Sequence, residues 1–307
     1  MDNSILVVGS INTDLILQVE HLPAPGETIL GGDIQTAGGG KGANQAMAAA
    51  RLGGNVTLVG RIGDDAYGDF HLHSFQLESI NVDAINRTND VPTGTAVILV
   101  DNRGQNCIVV SSGANARLSN TDVENASQQF IAGGILVLQL EIPIETVCFA
   151  AAKAKAAGKR VILNPAPAQQ LSNTLLQNTD VLILNETEME IICGQPIDEE
   201  DTLRKTIDTI LKSGVKVVIL TLGSKGARYF SKETQFFQQA FQVQAVDTTA
   251  AGDAFIGAFA VALSEGKTPA DAMQFAAAAG ALTATKMGAQ PSLPNRSDLI
   301  RLLEENK

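Results

Sequence analysis

Four short runs of almost unbroken Val, Ile and Leu, at 135–140, 161–163, 181–184 and 217–220, constrain this 307-residue chain more than any other feature. A strand with one face in water alternates apolar and polar residues. A strand without alternation is buried on both faces, as in a parallel sheet covered by helices. Two further runs come earlier, Ile5-Leu6-Val7-Val8-Gly9 and Val56-Thr57-Leu58-Val59-Gly60. Segments with helical patterning lie between and after these runs, at 41–52, 145–157, 201–213 and 269–286. This alternation predicts an α/β three-layer sandwich around a central, mostly parallel sheet, with right-handed crossovers.

Two stretches break the rhythm. Residues 11–37 are punctuated by Pro23, Pro25-Gly26-Glu27 and Gly31-Gly32. Residues 94–111 read as two strands about an Asn102-Arg103-Gly104 turn. Both stretches fall beside the first strands of the main sheet, so a small β lid built from about 11–37 and 94–111 is expected. No repeat and no low-complexity linker divides the chain, which reads as one domain over 1–307.

Composition narrows the function. Hydrophobic residues at 45% against 18% charged exclude disorder. The net charge of −11 argues against nucleic acid as a partner, because a phosphate-backbone binder needs a basic face. It leaves room for a small anion held by backbone N–H groups. Cys107, Cys148 and Cys193 form no CxxC pair, and their odd number argues against a disulfide framework and for a reducing compartment. Three histidines and no HExxH exclude a histidine-rich metal site. The start Met1-Asp2-Asn3-Ser4 lacks the features of a signal peptide. The uncharged stretches 254–264 and 272–285 are too short and too rich in Ala and Gly to span a bilayer. A soluble cytoplasmic protein without a membrane partner is expected.

Six constellations could carry chemistry. The run Thr36-Ala37-Gly38-Gly39-Gly40-Lys41-Gly42-Ala43-Asn44-Gln45 lets backbone approach a ligand and opens a helix with free N–H groups, although a tight turn alone would use the same glycines. Gly42 stands where a Walker loop needs Ser or Thr. Gly9-Ser10-Ile11-Asn12-Thr13-Asp14 follows the first strand, where open sheets bind ligands, and would also serve as an ordinary turn. Asp247-Thr248-Thr249-Ala250-Ala251-Gly252-Asp253-Ala254-Phe255 would aim the N–H groups of Ala251, Gly252 and Asp253 at one spot, with a carboxylate placed to take a proton from a hydroxyl. The plain reading makes Asp253 a helix N-cap. Asn185-Glu186-Thr187-Glu188 fits both a capping box and oxygen ligation of Mg²⁺ through water. Thr221-Leu222-Gly223-Ser224-Lys225-Gly226 is either a phosphate-binding loop or a turn into the next strand. Glu141, after the run 135–140, is either solvated or reaches into the cleft.

Taken together, these motifs resemble the ribokinase family of sugar kinases, the PfkB carbohydrate kinases, over essentially the whole chain. Gly39–Gln45 and Asp247–Phe255 are similar to the family's two signatures. Pro25-Gly26-Glu27-Thr28, Asn164-Pro165-Ala166-Pro167-Ala168 and Lys286-Met287-Gly288-Ala289-Gln290-Pro291-Ser292 add to the likeness. The resemblance implies phosphorylation of D-ribose at O5 by ATP, with Asp253 as base and Ala250, Ala251 and Gly252 as anion hole. It carries sugar binding onto Asn12, Asp14, Gly39, Gly40, Lys41, Asn44, Glu141 and Asp253. It carries nucleotide binding onto Asn185, Thr221, Gly223, Ser224, Gly226 and Gly252, with Glu188 organising Mg²⁺ through water. It further implies an activating K⁺ at Asp247, Thr249, Thr283, Lys286, Gly288 and Ser292, partly through backbone carbonyls, and a homodimer clasped through the lid. Ile256 and Ala277 depart from residues found in some members. Other readings are a kinase for another small sugar such as deoxyribose or fructose, a nucleoside kinase, and a ligand-binding protein that kept the fold. The absence of GxGxxG argues against a dehydrogenase.

Overall fold

The computed structural model describes residues 3–130, 134–197 and 199–306. Of the single domain expected over 1–307, Met1, Asp2, 131–133, Asp198 and Lys307 lie outside the described residues.

Nine strands form the main sheet: β1 (Ser4–Val8), β4 (Asn55–Gly63), β5 (Ile85–Thr88), β8 (Ile135–Leu138), β9 (Arg160–Leu163), β10 (Val181–Asn185), β11 (Val217–Thr221), β12 (Gly226–Ser231) and β13 (Gln235–Gln239). Their order is β13-β12-β11-β10-β9-β8-β1-β4-β5, and every pairing from β11 to β5 is parallel. β12 and β13 continue antiparallel at one edge. A second sheet, β3-β2-β6-β7, joins β2 (Asn12–Gln18), β3 (Gln35–Gly39), β6 (Gly94–Val100) and β7 (Asn106–Ser111). The β2–β6 pairing is parallel, and it unites the two stretches that broke the sequence rhythm.

The solid apolar runs are explained by two cores. Ile5, Val7, Val137, Val181 and Ile183 point to one face, and Leu6, Val8, Leu138, Leu182 and Leu184 to the other. The first face is covered by α1 (Lys41–Arg51), α2 (Ala66–Leu77), α8 (Ala251–Ser264), α9 (Pro269–Thr283) and α10 (Arg296–Glu305). The second is covered by α3 (Asn120–Asn125), α4 (Ile144–Ala156), α5 (Asn173–Gln177), α6 (Glu186–Cys193) and α7 (Glu200–Lys212). This is the three-layer α/β sandwich expected from the sequence.

The run at 135–140 pairs as a strand over Ile135–Leu138 and then leaves the ladder, where the Leu140 N–H donates to the Ala166 carbonyl instead. That early exit frees Gln139 and Glu141 for the site. Helices α2 and α10 carried no recognised sequence signal. α2 buries Gly68, His71 and Phe75, too narrow a stripe to stand out from its polar residues.

Candidate active site

The carboxyl ends of the parallel strands meet the small sheet at one edge of the molecule. The chain moves outward from β1 to β4 and β5, then returns to place β8 on the other side of β1. The crevice at such a switch point is where open α/β sheets bind ligands. One carboxylate fastens its walls. Ser10 Oγ, after β1, donates to Glu141 Oε2 at 2.5 Å, and the Lys41 backbone N–H, opening α1, donates to the same oxygen at 3.0 Å. Glu141 is therefore not merely solvated.

Asp253 sits in the first turn of α8 and is not its cap. The cap is Ala250, held in the left-handed region at φ 61. The two Asp253 oxygens accept from Asn44 Nδ2 at 3.0 Å and from Gln45 Nε2 at 2.9 Å, both on α1. The plain capping reading of Asp253 thus does not hold. Of the three N–H groups expected to converge here, that of Ala251 donates to the Thr248 carbonyl at 3.1 Å. Those of Gly252 and Asp253 have no partner among the described residues.

Five titratable groups, Asp14, Lys41, Glu141, Glu188 and Asp253, act on one another here. Burial drives the Asp253 carboxyl upward from its ordinary pKa, Lys41 and the two amides oppose this, and Glu141 adds to it. Burial would lower the Lys41 ammonium, but Asp253, Glu141 and Glu188 overcome it and hold the lysine above its usual value. Asp14, buried in β2, is pushed up to about 7 by burial first, then by Glu141 and Asp253. Only glycine fits at 39, because a Cβ there would come within 2.3 Å of the Asp14 oxygens. Gly40, at φ 87, caps α1. Asn12 is buried beside them, its Oδ1 accepting from Asn115 Nδ2 at 2.7 Å. Beneath this strand His71 is fully buried, its Nε2 3.0 Å from Thr13 Oγ1, and burial lowers it to about 4. A neutral imidazole there is a packing element, not a titrating one.

Two hollows flank the carboxylates. One, of about 220 Å³, is lined by Lys41, Asn185, Glu188, Thr221, Gly252 and Asp253. The other, of about 310 Å³, is lined by Asn12, Val110, Asn115, Glu141, Pro143 and Pro167. At the first, Asn185 caps α6 and forms the capping box: Glu188 N–H donates to Asn185 Oδ1 at 2.8 Å and Asn185 N–H to Glu188 Oε2 at 2.9 Å. Burial raises the Glu188 carboxyl, Asn185 and Lys41 oppose this, and Asp253 reinforces it. Thr221 ends β11 in this hollow, but Gly223, Ser224 and Gly226 are not part of its lining. Gly223 and Ser224 are exposed in a short 3-10 turn. Gly226 is required for packing, since a Cβ would sit 2.1 Å from the Gln238 carbonyl.

The family model of pfkB family carbohydrate kinases matches residues 2–296. The chain belongs to this family. The sugar kinase is 42% identical over 304 residues to a ribokinase of Haemophilus influenzae, with 99% of each chain covered. It is 36% identical over 304 residues to a deoxyribokinase of Salmonella typhi, again over 99% of each. Among solved structures it is similar to Arabidopsis thaliana ribokinase complexed with ribose and ATP, at a TM-score of 0.90 and 37% identity over 99% of each chain.

In this sugar kinase the residues expected to hold a monovalent cation divide. Asp247 Oδ1 accepts from the Thr249 N–H at 2.9 Å and from Thr249 Oγ1 at 2.6 Å, while Oδ2 accepts from the Gly288 N–H at 2.8 Å. Asp247 thus joins Thr249 and Gly288, one on each carboxylate oxygen. The hydroxyls of Thr283 and Ser292 bond to the carbonyls of Ala279 and Ala289, and the Lys286 N–H to that of Thr283. Arg51 pins the segment to α1 by donating to the Gln290 and Leu293 carbonyls at 2.7 and 3.1 Å.

Sequence reasoning missed Gln139 and Asn115, and it quoted Ser10, Gln45 and Asn164 within motifs without giving them roles. Single polar residues at strand ends leave no periodicity or spacing to detect. The bonds Ser10–Glu141, Ile11–Asn115, Gln45–Asn164 and Gln45–Gln139 span 94 to 131 residues along the chain, and Gln45–Asp253 spans 208. No helix among the described residues is long and apolar enough to cross a membrane.

Proposed function

We propose that this sugar kinase transfers the γ-phosphoryl group of ATP to O5 of D-ribose. The observation that carries the reading is a buried carboxylate, Asp253, lining the first hollow beside the two N–H groups of α8 that have no partner among the described residues. Support comes from the ribokinase relative and from the neighbour complexed with ribose and ATP.

Sugar hydroxyls are offered Asn12, Asp14, Gly39, Gly40, Lys41, Asn44 and Glu141 on one side. Asp253 takes the proton of the attacking hydroxyl; of the backbone from Ala250 to Gly252, the Gly252 N–H, joined by that of Asp253, faces the charge that develops on the phosphoryl group, the Ala251 N–H being held by the Thr248 carbonyl. Lys41 adds positive charge at the same point. Nucleotide is assigned to Asn185, Thr221, Gly223, Ser224, Gly226 and Gly252. Glu188 suits Mg²⁺ held through water: it is an oxygen donor, and no cluster of His, Cys, Asp or Glu among the described residues could cage a metal ion without substrate oxygens. When bound, Mg²⁺ neutralises phosphate charge. The Asp247 carboxylate and the Thr249 hydroxyl are hard oxygen ligands of the kind K⁺ takes, and Gly288, Thr283, Lys286 and Ser292 are assigned to complete the site, partly through backbone carbonyls. The β3-β2-β6-β7 sheet serves as the lid, and exposed Ile108 and Val109 on β7 are assigned to a homodimer contact.

ADP release with Mg-ATP and D-ribose, with and without K⁺, tests this. Turnover that requires ribose and rises with K⁺ is expected. The deoxyribokinase relative makes 2-deoxyribose the informative competitor. Turnover faster on deoxyribose than on ribose would overturn the substrate assignment, and no turnover on any sugar would overturn the reaction.

A further inference from the structure

Asp253 is gripped by a chain of side-chain amides whose directions all follow from one backbone carbonyl. Asn164, after β9, donates Nδ2 to the Ile183 carbonyl at 3.1 Å. A carbonyl only accepts, so the Asn164 oxygen faces the other way. That oxygen lies 3.4 Å from Gln45 Nε2. The Gln45 NH₂ group therefore faces both Asn164 and Asp253 Oδ1, the latter at 2.9 Å. The Gln45 oxygen is left facing Gln139 Nε2, which donates to it at 2.6 Å. All four residues are buried, and they come from α1, α8 and the ends of β8 and β9. Gly9 makes room for the last member, since a Cβ there would lie 2.0 Å from Gln139 Oε1.

We infer that Gln45 is a positioning residue that keeps Asp253 an ionised acceptor, and that Asn164 and Gln139 lock the Gln45 amide against turning over. The inference rests on the reading of Asp253 as the base. A turned Gln45 would present its oxygen to a carboxylate oxygen. Two acceptors at that distance favour the protonated acid, which cannot take a proton from a hydroxyl. Burial and Glu141 push Asp253 toward that form while Lys41 and the two amide donors hold it back, so the donor matters. The neighbouring amide behaves differently. Asn44 also donates to Asp253, but its own oxygen has no partner among the described residues, so that single bond alone sets its direction. Asn44 is thus free to answer a sugar hydroxyl, while Gln45 is committed.

The test is the pH dependence of kcat between pH 5 and 9 for the wild-type enzyme, Gln45→Met and Gln139→Glu, with Asp253→Asn as reference. Gln45→Met keeps the length and removes the donor. Its acid limb should move up by about one pH unit, with sugar KM changed by less than about threefold. Gln139→Glu does not touch Asp253. Where the new carboxyl is ionised it repels the Gln45 oxygen and turns the amide, giving the same upward displacement; where burial keeps it protonated it donates to that oxygen as Gln139 does, and Gln139→Met, which removes the donor, carries the displacement instead. Calorimetric binding of an ATP analogue checks folding, and if Gln45→Met does not fold, the residue-139 pair decides. Acid limbs unmoved in the folded variants would overturn the inference. If Asp253→Asn itself keeps wild-type turnover, the reading of the base fails. If Asp253→Asn is slow and the limbs stay put, only the positioning role fails.

Discussion

The two hollows at the carboxyl edge of the sheet are built on different principles. On the side proposed for the sugar, Asn12 lines the hollow, Asp14 and Asn44 are buried behind it, and Glu141 ties the two strand ends to α1, while Asp253 lines the other hollow. The polar atoms there are fixed by long-range bonds, and only a few, such as Asn44 Oδ1, are left without partners. On the nucleotide side, Asn185, Gly223 and Ser224 are exposed, and the bonds are local, such as the capping box over four residues. A preorganised site costs stability before the ligand arrives and little afterwards. An open site binds with ordering that the ligand itself must drive. Substitutions on the sugar side should therefore be severe and alter stability as well, and those on the nucleotide side should be milder and confined to binding.

The largest expected effect is at the centre. Asp253→Asn should lower turnover by roughly 10²–10⁴ with sugar binding retained, measured by ADP release and calorimetry. Next, Asp14→Asn should weaken sugar binding by roughly 10²-fold. It should also stabilise the sugar-free protein at high pH. The folded-state pKa of Asp14, about 7, lies above its ordinary value of 3.8, so the fold favours the protonated form. Stability from this group is present at low pH and is lost as pH rises from about 4 through about 7. Thermal melts at pH 5 and pH 8 should show a larger fall for the wild-type protein than for Asp14→Asn, the gain at pH 8 being about 1–3 kcal/mol. An equal fall in both would place the carboxylate in a less constrained setting and blur the contrast. On the other side, Glu188→Gln should raise the Mg²⁺ requirement by roughly 10–100-fold without moving the melting temperature. The smallest effect is Ser224→Ala, expected to raise KM for ATP by about two- to fivefold, read from initial rates. A loss at Ser224 as deep as that at Asp14 would erase the difference between the halves.

The same contrast explains what was legible in the sequence. The frame could be read because a doubly covered strand cannot alternate, so the runs at 181–184 and 217–220 announce their layer directly. Glycines gave away the backbone approach at 39–42, and the capping box at Asn185–Glu188 was visible because both partners lie within one turn. The run 247–253 announced a helix start, but not that Ala250 would take the left-handed cap and leave Asp253 inside the first turn. The polar lattice behind Asp253 was invisible. Gln45, Gln139 and Asn164 are ordinary residues in their own segments, and they acquire a role only where four elements converge. The group proposed for the monovalent cation was partly legible. Asp247, Thr249 and Gly288 do meet, across 41 residues of chain, whereas the hydroxyls of Thr283 and Ser292 make local bonds.

The central claim is phosphoryl transfer from ATP to the primary hydroxyl of ribose, and ³¹P NMR of a reaction containing the enzyme, Mg-ATP and D-ribose tests it most directly. A phosphomonoester signal coupled to the two C5 protons should grow as fast as ADP accumulates, and both should slow by roughly 10²–10⁴ in the Asp253→Asn enzyme. ADP without a sugar phosphate, or a phosphate on another hydroxyl, would contradict the account.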